Sequence, residues 1–435
     1  MSDAAIGITG LTILMVVLAL RVPVALALIG VSTLGLWQLI SPRAAWGLLQ
    51  SSPFQFVSSW TLSAVPMFLL MGYICFYSGM TTSLFKLAKA LLWRIPGALG
   101  ISSIFACTIF ASVCGSGVAN SAAMGRIAIP EMLKAGYDKN FACGIVASGG
   151  TIGALIPPSI LLILFGIFAQ VSIIQLFLGG IGIGLLTTVG YSLVILITSW
   201  LRPDMVPRRM EQVPSSEIWA NLREMWPVLL LLIGVFGGMF GGVFTTTEAG
   251  AMGALLSFLI AILQRRLTKD IAFKALTETV YTCGALFLIG VGATMLTRFV
   301  SISGTGDLIS SMVIGWELES WQLMLLIVAI YLALGTFMDG IGAMLLTLPI
   351  FLPIVDAQNI DLIWFGVVVA KLIEIGELSP PFGLNVFVIK SVVGNLTTLT
   401  GVFKGVTYFM IADVFVIFAV MIFPAIILFF PTLMR

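Results

Sequence analysis

The sequence predicts an all-α polytopic membrane protein built from two inverted repeats, each holding one re-entrant hairpin and one discontinuous helix. Three observations predict it. Of the 435 residues, 60% are hydrophobic and only 9% charged, and mean hydropathy is +1.15. Glycine-rich or polar interruptions fall at corresponding places in the two halves. A double proline follows each interruption at the same interval. Soluble domains carry about 25% charged residues because their surfaces face water. This surface must face lipid or protein.

A spanning helix needs about 20 apolar residues. Such stretches lie near 5–20, 23–40, 61–79, 140–168, 175–200, 227–244, 246–263, 276–299, 362–390 and 406–430. Two further apolar segments, 98–135 and 320–355, are broken in the middle, at Gly115-Ser116-Gly117 and at Gly335-Thr336-Phe337-Met338-Asp339-Gly340. Each half is too short to cross, so both read as hairpins that enter and leave on one side. The segment 41–59, with Pro42, Trp46, Pro53 and Trp60 at its end, reads as an interfacial connection, where indole rings sit well.

Positive charge orients the bundle. Arg202, Arg208, Arg209 and Arg223 in the linker 201–226, and Arg265, Arg266, Lys269 and Lys274 in the loop 264–275, are expected on the cytoplasmic side. Lys86, Lys89, Arg94, Lys134 and Lys139 then fall on that side too, and both termini are expected to be periplasmic. No basic leader or cleavage site precedes the first span, so no signal peptide is expected.

The chain divides into a first repeat (1–200, hairpin near 98–135, broken helix near 140–168), the linker, and a second repeat (227–435, hairpin near 320–355, broken helix near 362–390). Gly115 and Gly335 are 220 positions apart, Pro130 and Pro349 are 219 apart, and the segments 153–158 and 376–381 are offset by 223. From Ser116 to Pro157 is 41 residues, and from Asp339 to Pro380 is also 41. Five spans per repeat invert the second copy. Inverted repeats with interrupted helices at equivalent places mark the binding site of a secondary transporter.

Unwound backbone in a bilayer survives only where protein, water or an ion satisfies it. The segments 148–158 and 376–385 each run into a double proline, which removes amide donors and disfavours helix before it. Freed carbonyls suit Na⁺, and half-helix N-termini suit an anion. Ser116, Asn120 and Ser121 at one tip, and Thr336 and Asp339 at the other, supply matching polar groups. Ser121, Thr151, Asp339 and Asn385 are the candidate substrate contacts. Among charges inside spans, Glu248 is expected to cap a helix with Thr245 or Thr246, and Lys371 with Glu374 to form an internal i,i+3 pair. Glu377 and Asp339 stand beside breaks, placed either to neutralise Na⁺ or to cap a half-helix.

Other classes find no support. There is no histidine and no GxxxxGK[ST] loop. Cys75, Cys107, Cys114, Cys143 and Cys283 show no CxxC spacing and read as packing residues. Enzyme chemistry, transition metals, cofactors, ATP use by this chain and nucleic-acid binding are therefore not expected.

The residues at these breaks resemble the large membrane subunit of TRAP transporters, the tripartite ATP-independent periplasmic family (DctM-like). The likeness runs through Val65-Pro66-Met67-Phe68, Gly115-Ser116-Gly117-Val118-Ala119-Asn120-Ser121, Arg126-Ile127-Ala128-Ile129-Pro130-Glu131, Gly149-Gly150-Thr151-Ile152-Gly153 with Pro157-Pro158, Thr245-Thr246-Thr247-Glu248, Gly335-Thr336-Phe337-Met338-Asp339-Gly340, and Lys371 to Gly376 with Pro380-Pro381-Phe382-Gly383-Leu384-Asn385. The resemblance implies an elevator-type fold in a bacterial inner membrane. It implies Na⁺-coupled import of an organic acid (a carboxylate, sugar acid or sulfonate). It also implies a separate small four-helix membrane subunit and a periplasmic substrate-binding protein as partners. Carried over, one Na⁺ site would use Gly115, Ser116, Asn120, Gly149 and Gly153, the other Gly335, Met338, Glu377 and Pro380. Two departures stand out: Asn120 replaces a frequent threonine, and Glu377 a frequent neutral residue. A self-sufficient carboxylate carrier of related fold is the competing transport reading.

Overall fold

A computed structural model of the chain describes residues 2–207 and 214–434; Arg208 and Arg209 of the linker lie outside them. Every regular element among the described residues is helical. Among the described residues six helices are long and apolar enough to cross a membrane, or seven if Ile218–Glu224 and Trp226–Phe240, bent by 49°, make one span. One of the six is Gly340–Ala357, the return half of the segment 320–355, against the expectation that each half is too short to cross. Leu185, Val189, Leu193 and Ile197 form an exposed i,i+4 stripe on Ile173–Leu201. Such an apolar outer face suits lipid, as the composition predicts.

Elements follow the predicted order. Asp3–Ala19 and Val24–Leu39 pack together across a turn at Arg21, whose φ is +64°. The connection 41–59 is itself a helix, Pro42–Val57, started by Ser41 as cap and Pro42 in the first turn. A 3₁₀ turn, Trp60–Ser63, leads into Ala64–Tyr77. In the second half, Trp226–Phe240, Thr246–Leu263 and Lys269–Ile302 follow. Thr245 and Glu248 form a reciprocal capping box at the start of Thr246–Leu263, as expected for that acid.

Packing between the halves is reciprocal. Val24–Leu39 lies on Lys269–Ile302, and Thr246–Leu263 lies on Ala64–Tyr77. The second expected span of each half thus meets the third expected span of the other. The remaining elements form the part that carries the breaks. Hairpin 1 is Ala98–Cys114 with Gly117–Lys134, and hairpin 2 is Ser320–Gly335 with Gly340–Ala357. Broken helix 1 is Lys139–Thr151 with Ile160–Ala169, and broken helix 2 is Leu362–Leu378 with Leu384–Val393. The return arm of hairpin 1 packs on Leu384–Val393, and the return arm of hairpin 2 packs on Ile160–Ala169. Each hairpin touches the far half of the other repeat's broken helix.

Four details differ from expectation. The helix before break 1 persists through Thr151, and a 3₁₀ turn covers Ile152–Ala154, so Ser148, Gly149, Gly150 and Thr151 are helical. The helix before break 2 persists through Leu378, so Gly376 and Glu377 are helical too. A proline disfavours helix at its immediate predecessor and unbonds the carbonyl four residues back, which still lets helix run up close to each pair. The last span, expected at 406–430, is Leu399–Ile422; Phe423 and Pro424 turn the chain before a short Ala425–Leu433 helix. Finally, Thr81–Leu92 and Thr305–Gly315 are helices that precede the two hairpins at equivalent places. Both are shorter than a spanning run, so hydropathy does not announce them.

Candidate functional site at the two helix breaks

At hairpin 1, Cys114 ends the first arm and Gly115 turns the chain with φ +62°. A side chain there is excluded twice over: by the left-handed backbone, and because a Cβ would lie 2.3 Å from the Pro158 carbonyl oxygen. The tip therefore rests directly on the proline break. Ser116 caps the return arm by accepting from the Ala119 amide at 3.4 Å. Gly153 in the break faces the other side of the tip, its Cβ position 3.0 Å from the Ser116 carbonyl oxygen. Asn120 donates through Nδ2 to the carbonyls of Cys107 (3.0 Å) and Gly150 (3.2 Å). Its Oδ1 is sealed from solvent and has no hydrogen-bond partner. Gly149 packs against Ile104 and the Cys107 sulfur rather than the tip.

Break 1 closes part of its own backbone. The Ser159 hydroxyl donates to the Ala154 carbonyl and also caps Ile160–Ala169. Pro157 offers no N–H to the Gly153 carbonyl four residues earlier. An acceptor is thus freed beside Ser116.

At hairpin 2, Gly335 and Gly376 bring two backbones together; a Cβ on either would sit 2.7 or 2.5 Å from the other's Cα. Asp339 caps the return arm by accepting from the Gly342 amide at 2.9 Å. The Glu377 carboxylate reaches the same helix start, with Oε1 2.9 Å from the Cβ position of Gly340. Two carboxylates therefore flank this tip. Thr336 spends its hydroxyl hydrogen on the Ala333 carbonyl at 2.7 Å. The Met338 side chain packs with the Leu14 and Leu28 cluster, so only its backbone is left at the tip. Pro380 and Pro381 are exposed at break 2. Phe382 beyond them contacts Phe337 and lies under the Arg21 guanidinium at 5.8 Å from its ring centroid.

The two breaks are joined by a polar line. Ser121 of hairpin 1 donates to Asn385 Oδ1 at 3.1 Å, and Asn385 Nδ2 donates to Glu377 at 3.0 Å. Gly150 opens room for this line, since a Cβ there would fall 1.8 Å from the Ser121 hydroxyl. The Cβ position of Gly117 lies 3.5 Å from Thr151 Cα and 3.6 Å from Asn385 Nδ2, so Thr151 belongs to the same centre. Its hydroxyl donates to the Ser148 carbonyl at 2.8 Å. No side chain caps the N-terminus of Leu384–Val393. That open end, beside Asn385 and Ser121, is suited to an anion.

Sequence reasoning missed one cluster. Lys371 pairs with Glu374 at 3.5 Å as expected, but its closer partner is Asp413 at 2.8 Å. Tyr191 donates to the same carboxylate at 2.8 and 2.9 Å. All four residues are fully buried, and one Glu374 oxygen has no partner. The network ties Ile173–Leu201, Leu362–Leu378 and Leu399–Ile422 together. Asp413 lies mid-way along an apolar span, and Tyr191 precedes it by 222 residues, close to the repeat offset. Those were the available signals.

The five cysteines are buried and free. Among the described residues no group of His, Cys, Asp or Glu is arranged to hold a transition metal.

Paired hairpins, paired breaks and a polar line between them define a membrane transporter of the broken-helix class. Residues 11–430 match the family model of the DctM component of the tripartite ATP-independent periplasmic transporter. The chain belongs to that family. It is 34% identical over 343 residues to the C4-dicarboxylate TRAP transporter large permease protein DctM of Pseudomonas aeruginosa, covering 78% of this chain and 79% of that one. It is 32% identical to the isethionate TRAP transporter permease protein DctMQ of Oleidesulfovibrio alaskensis, covering 78% of this chain but only 53% of that longer protein. Among solved structures, the YdaH transporter of Alcanivorax borkumensis shares the fold, with a TM-score of 0.62 at 14% identity over 88% of this chain and 89% of that one.

Proposed function

We propose that this chain is the translocating subunit of a Na⁺-coupled importer of a small organic anion, in which the part carrying both breaks slides as an elevator against the remaining helices. The observation that carries the reading is the orphaned Asn120 Oδ1, sealed in the first turn of the return arm of hairpin 1, beside the carbonyls of Cys107 and Gly150. A buried amide oxygen without a donor costs roughly 1–3 kcal/mol. A hard monovalent cation removes that cost, and the freed Gly153 carbonyl and the Ser116 oxygens are neighbours for it. At break 2 the second Na⁺ would sit among the Gly335 and Met338 carbonyls, Glu377 and the backbone beside Pro380, with negative charge to hold it.

The anion is assigned to the centre between the breaks: Ser121, Asn385, Thr151 and the uncapped N-terminus of Leu384–Val393. Asp339 contributes as a cap rather than an anion contact, since a carboxylate repels one. Relatives are named for C4-dicarboxylate and isethionate transport. Both ligands are small anions of the kind a helix N-terminus accepts. A separate small membrane subunit and a periplasmic binding protein are expected as partners, in a bacterial inner membrane with both termini outside.

Reconstitution tests this. Proteoliposomes with the small subunit should take up a radiolabelled dicarboxylate or sulfonate only when its binding protein and an inward Na⁺ gradient are both present. Equal uptake without Na⁺, or without binding protein, contradicts the proposal.

A further inference from the structure

Outside the translocation path, the structure brings together three segments that the charge bias places on one face. These are the Ser78–Lys86 turn, the Arg223–Pro227 bend and the Gln264–Arg266 turn, and they enclose a cavity of about 570 Å³. That is the size of a small-molecule site, for which about 300–1,000 Å³ is usual. Three cations, Lys86, Arg223 and Arg266, line it against one carboxylate, Glu224.

The charges are not balanced among the described residues. Lys86 is 3.7 Å from Glu224, which accounts for one pair. Arg266 donates only to the Ser78 and Gly79 carbonyls, at 3.4 Å each. Arg223 makes no ion pair among the described residues. A surplus of two guanidinium groups therefore faces the cavity. A second, independent feature sits in its wall: Gln264 Oε1 is sealed from solvent and receives no hydrogen bond. The site thus wants a negative group and a hydrogen-bond donor close together. Trp226, at the same rim, is partly exposed, as indoles are at the headgroup level of a bilayer.

We propose that this cavity binds the headgroup of an anionic phospholipid that carries a hydroxyl, of the phosphatidylglycerol type. The phosphate meets Arg223 and Arg266 at the inner interface, where basic pockets between spanning helices take such headgroups. A headgroup hydroxyl donates to Gln264 Oε1 once that side chain turns into the cavity, from which its oxygen is sealed in this structure. The lipid bridges Thr81–Leu92, which packs on hairpin 1, to the helices Trp226–Phe240 and Thr246–Leu263.

Delipidated protein in neutral detergent provides the test, read by melting temperature and by native mass spectrometry of retained lipid. Dioleoyl phosphatidylglycerol should raise the melting temperature and remain bound as about one molecule per chain; dioleoyl phosphatidylcholine should do neither. A basic residue near an anionic lipid surface is worth about fivefold in affinity. Arg223→Gln should therefore weaken phosphatidylglycerol binding about fivefold, and Arg223→Gln with Arg266→Gln about 25-fold. Both side chains are exposed, so the variants should melt like the parent without lipid; if they do not, retained lipid counted by mass decides. Equal stabilisation by phosphatidylcholine, or unchanged lipid retention in the double variant, overturns the proposal. Stabilisation by inorganic phosphate or glycerol phosphate without lipid also overturns it, by giving the site to a soluble anion.

Discussion

The two breaks share a backbone device and differ in charge. Break 1 and the hairpin 1 tip offer neutral oxygens only: the Asn120 amide, the Ser116 hydroxyl and main-chain carbonyls. Break 2 and the hairpin 2 tip carry Asp339 and Glu377, and the adjoining helix continues into the buried Lys371 network. Asn120, Pro157 and Pro158 of the first are buried, whereas Pro380, Pro381 and Phe382 of the second are exposed. The two halves therefore share the geometry that frees carbonyls and reach electrical balance differently. Under the proposed function, a neutral site depends on exact fit to its cation, and an acidic one on charge.

Ways to sharpen this contrast run from large effects to small. Lys371→Met should be the most damaging single change, because it leaves Asp413 and Glu374 buried without their cation. Breaking a buried pair costs about 3–5 kcal/mol. Loss of the monodisperse peak in size-exclusion chromatography should show it, and adding Asp413→Asn should recover much of the folded protein. No equivalent charge exists on Lys139–Thr151, whose helix should tolerate polar changes that keep its volume.

Gly115→Ala comes next. The left-handed backbone alone costs about 1–2 kcal/mol, and contact with the Pro158 carbonyl adds to it. Gly304→Ala is the control, since that glycine has φ +64° but open space around it. Melting should separate the two variants, and uptake should fall only for Gly115→Ala.

Asn385→Ala cuts the line from Ser121 to Glu377 and should raise the substrate KM about 5- to 150-fold, on the order of 1–3 kcal/mol of lost binding. Its Na⁺ dependence should change less. An unaltered KM would remove Asn385 from the anion site. Thr151→Val, whose hydroxyl already serves the Ser148 carbonyl, should have the smallest effect on uptake.

Much of this was legible in residues. The glycine turns, the 41-residue spacing to each proline pair and the Glu248 cap all act locally, so short stretches of sequence announce them. The exact extent of unwinding was not, because Ser148–Thr151 and Gly376–Glu377 stay helical through packing that their composition conceals. The Met338 side chain and Gly149 turn out to pack among apolar neighbours. Asp413 with Tyr191, and Ser121 with Asn385, are partners 222 and 264 residues apart. Only tertiary contact reveals such pairs, and repeat arithmetic hints at the first alone.

Equilibrium binding of radioactive sodium to the purified protein tests the central claim most directly. The unaltered chain should bind about two Na⁺ saturably, with K⁺ a poor competitor. Asn120→Ala should abolish one of them and spare the other, while Glu377→Gln weakens the one that remains. Absence of saturable Na⁺ binding, or full occupancy retained in Asn120→Ala, would contradict the account.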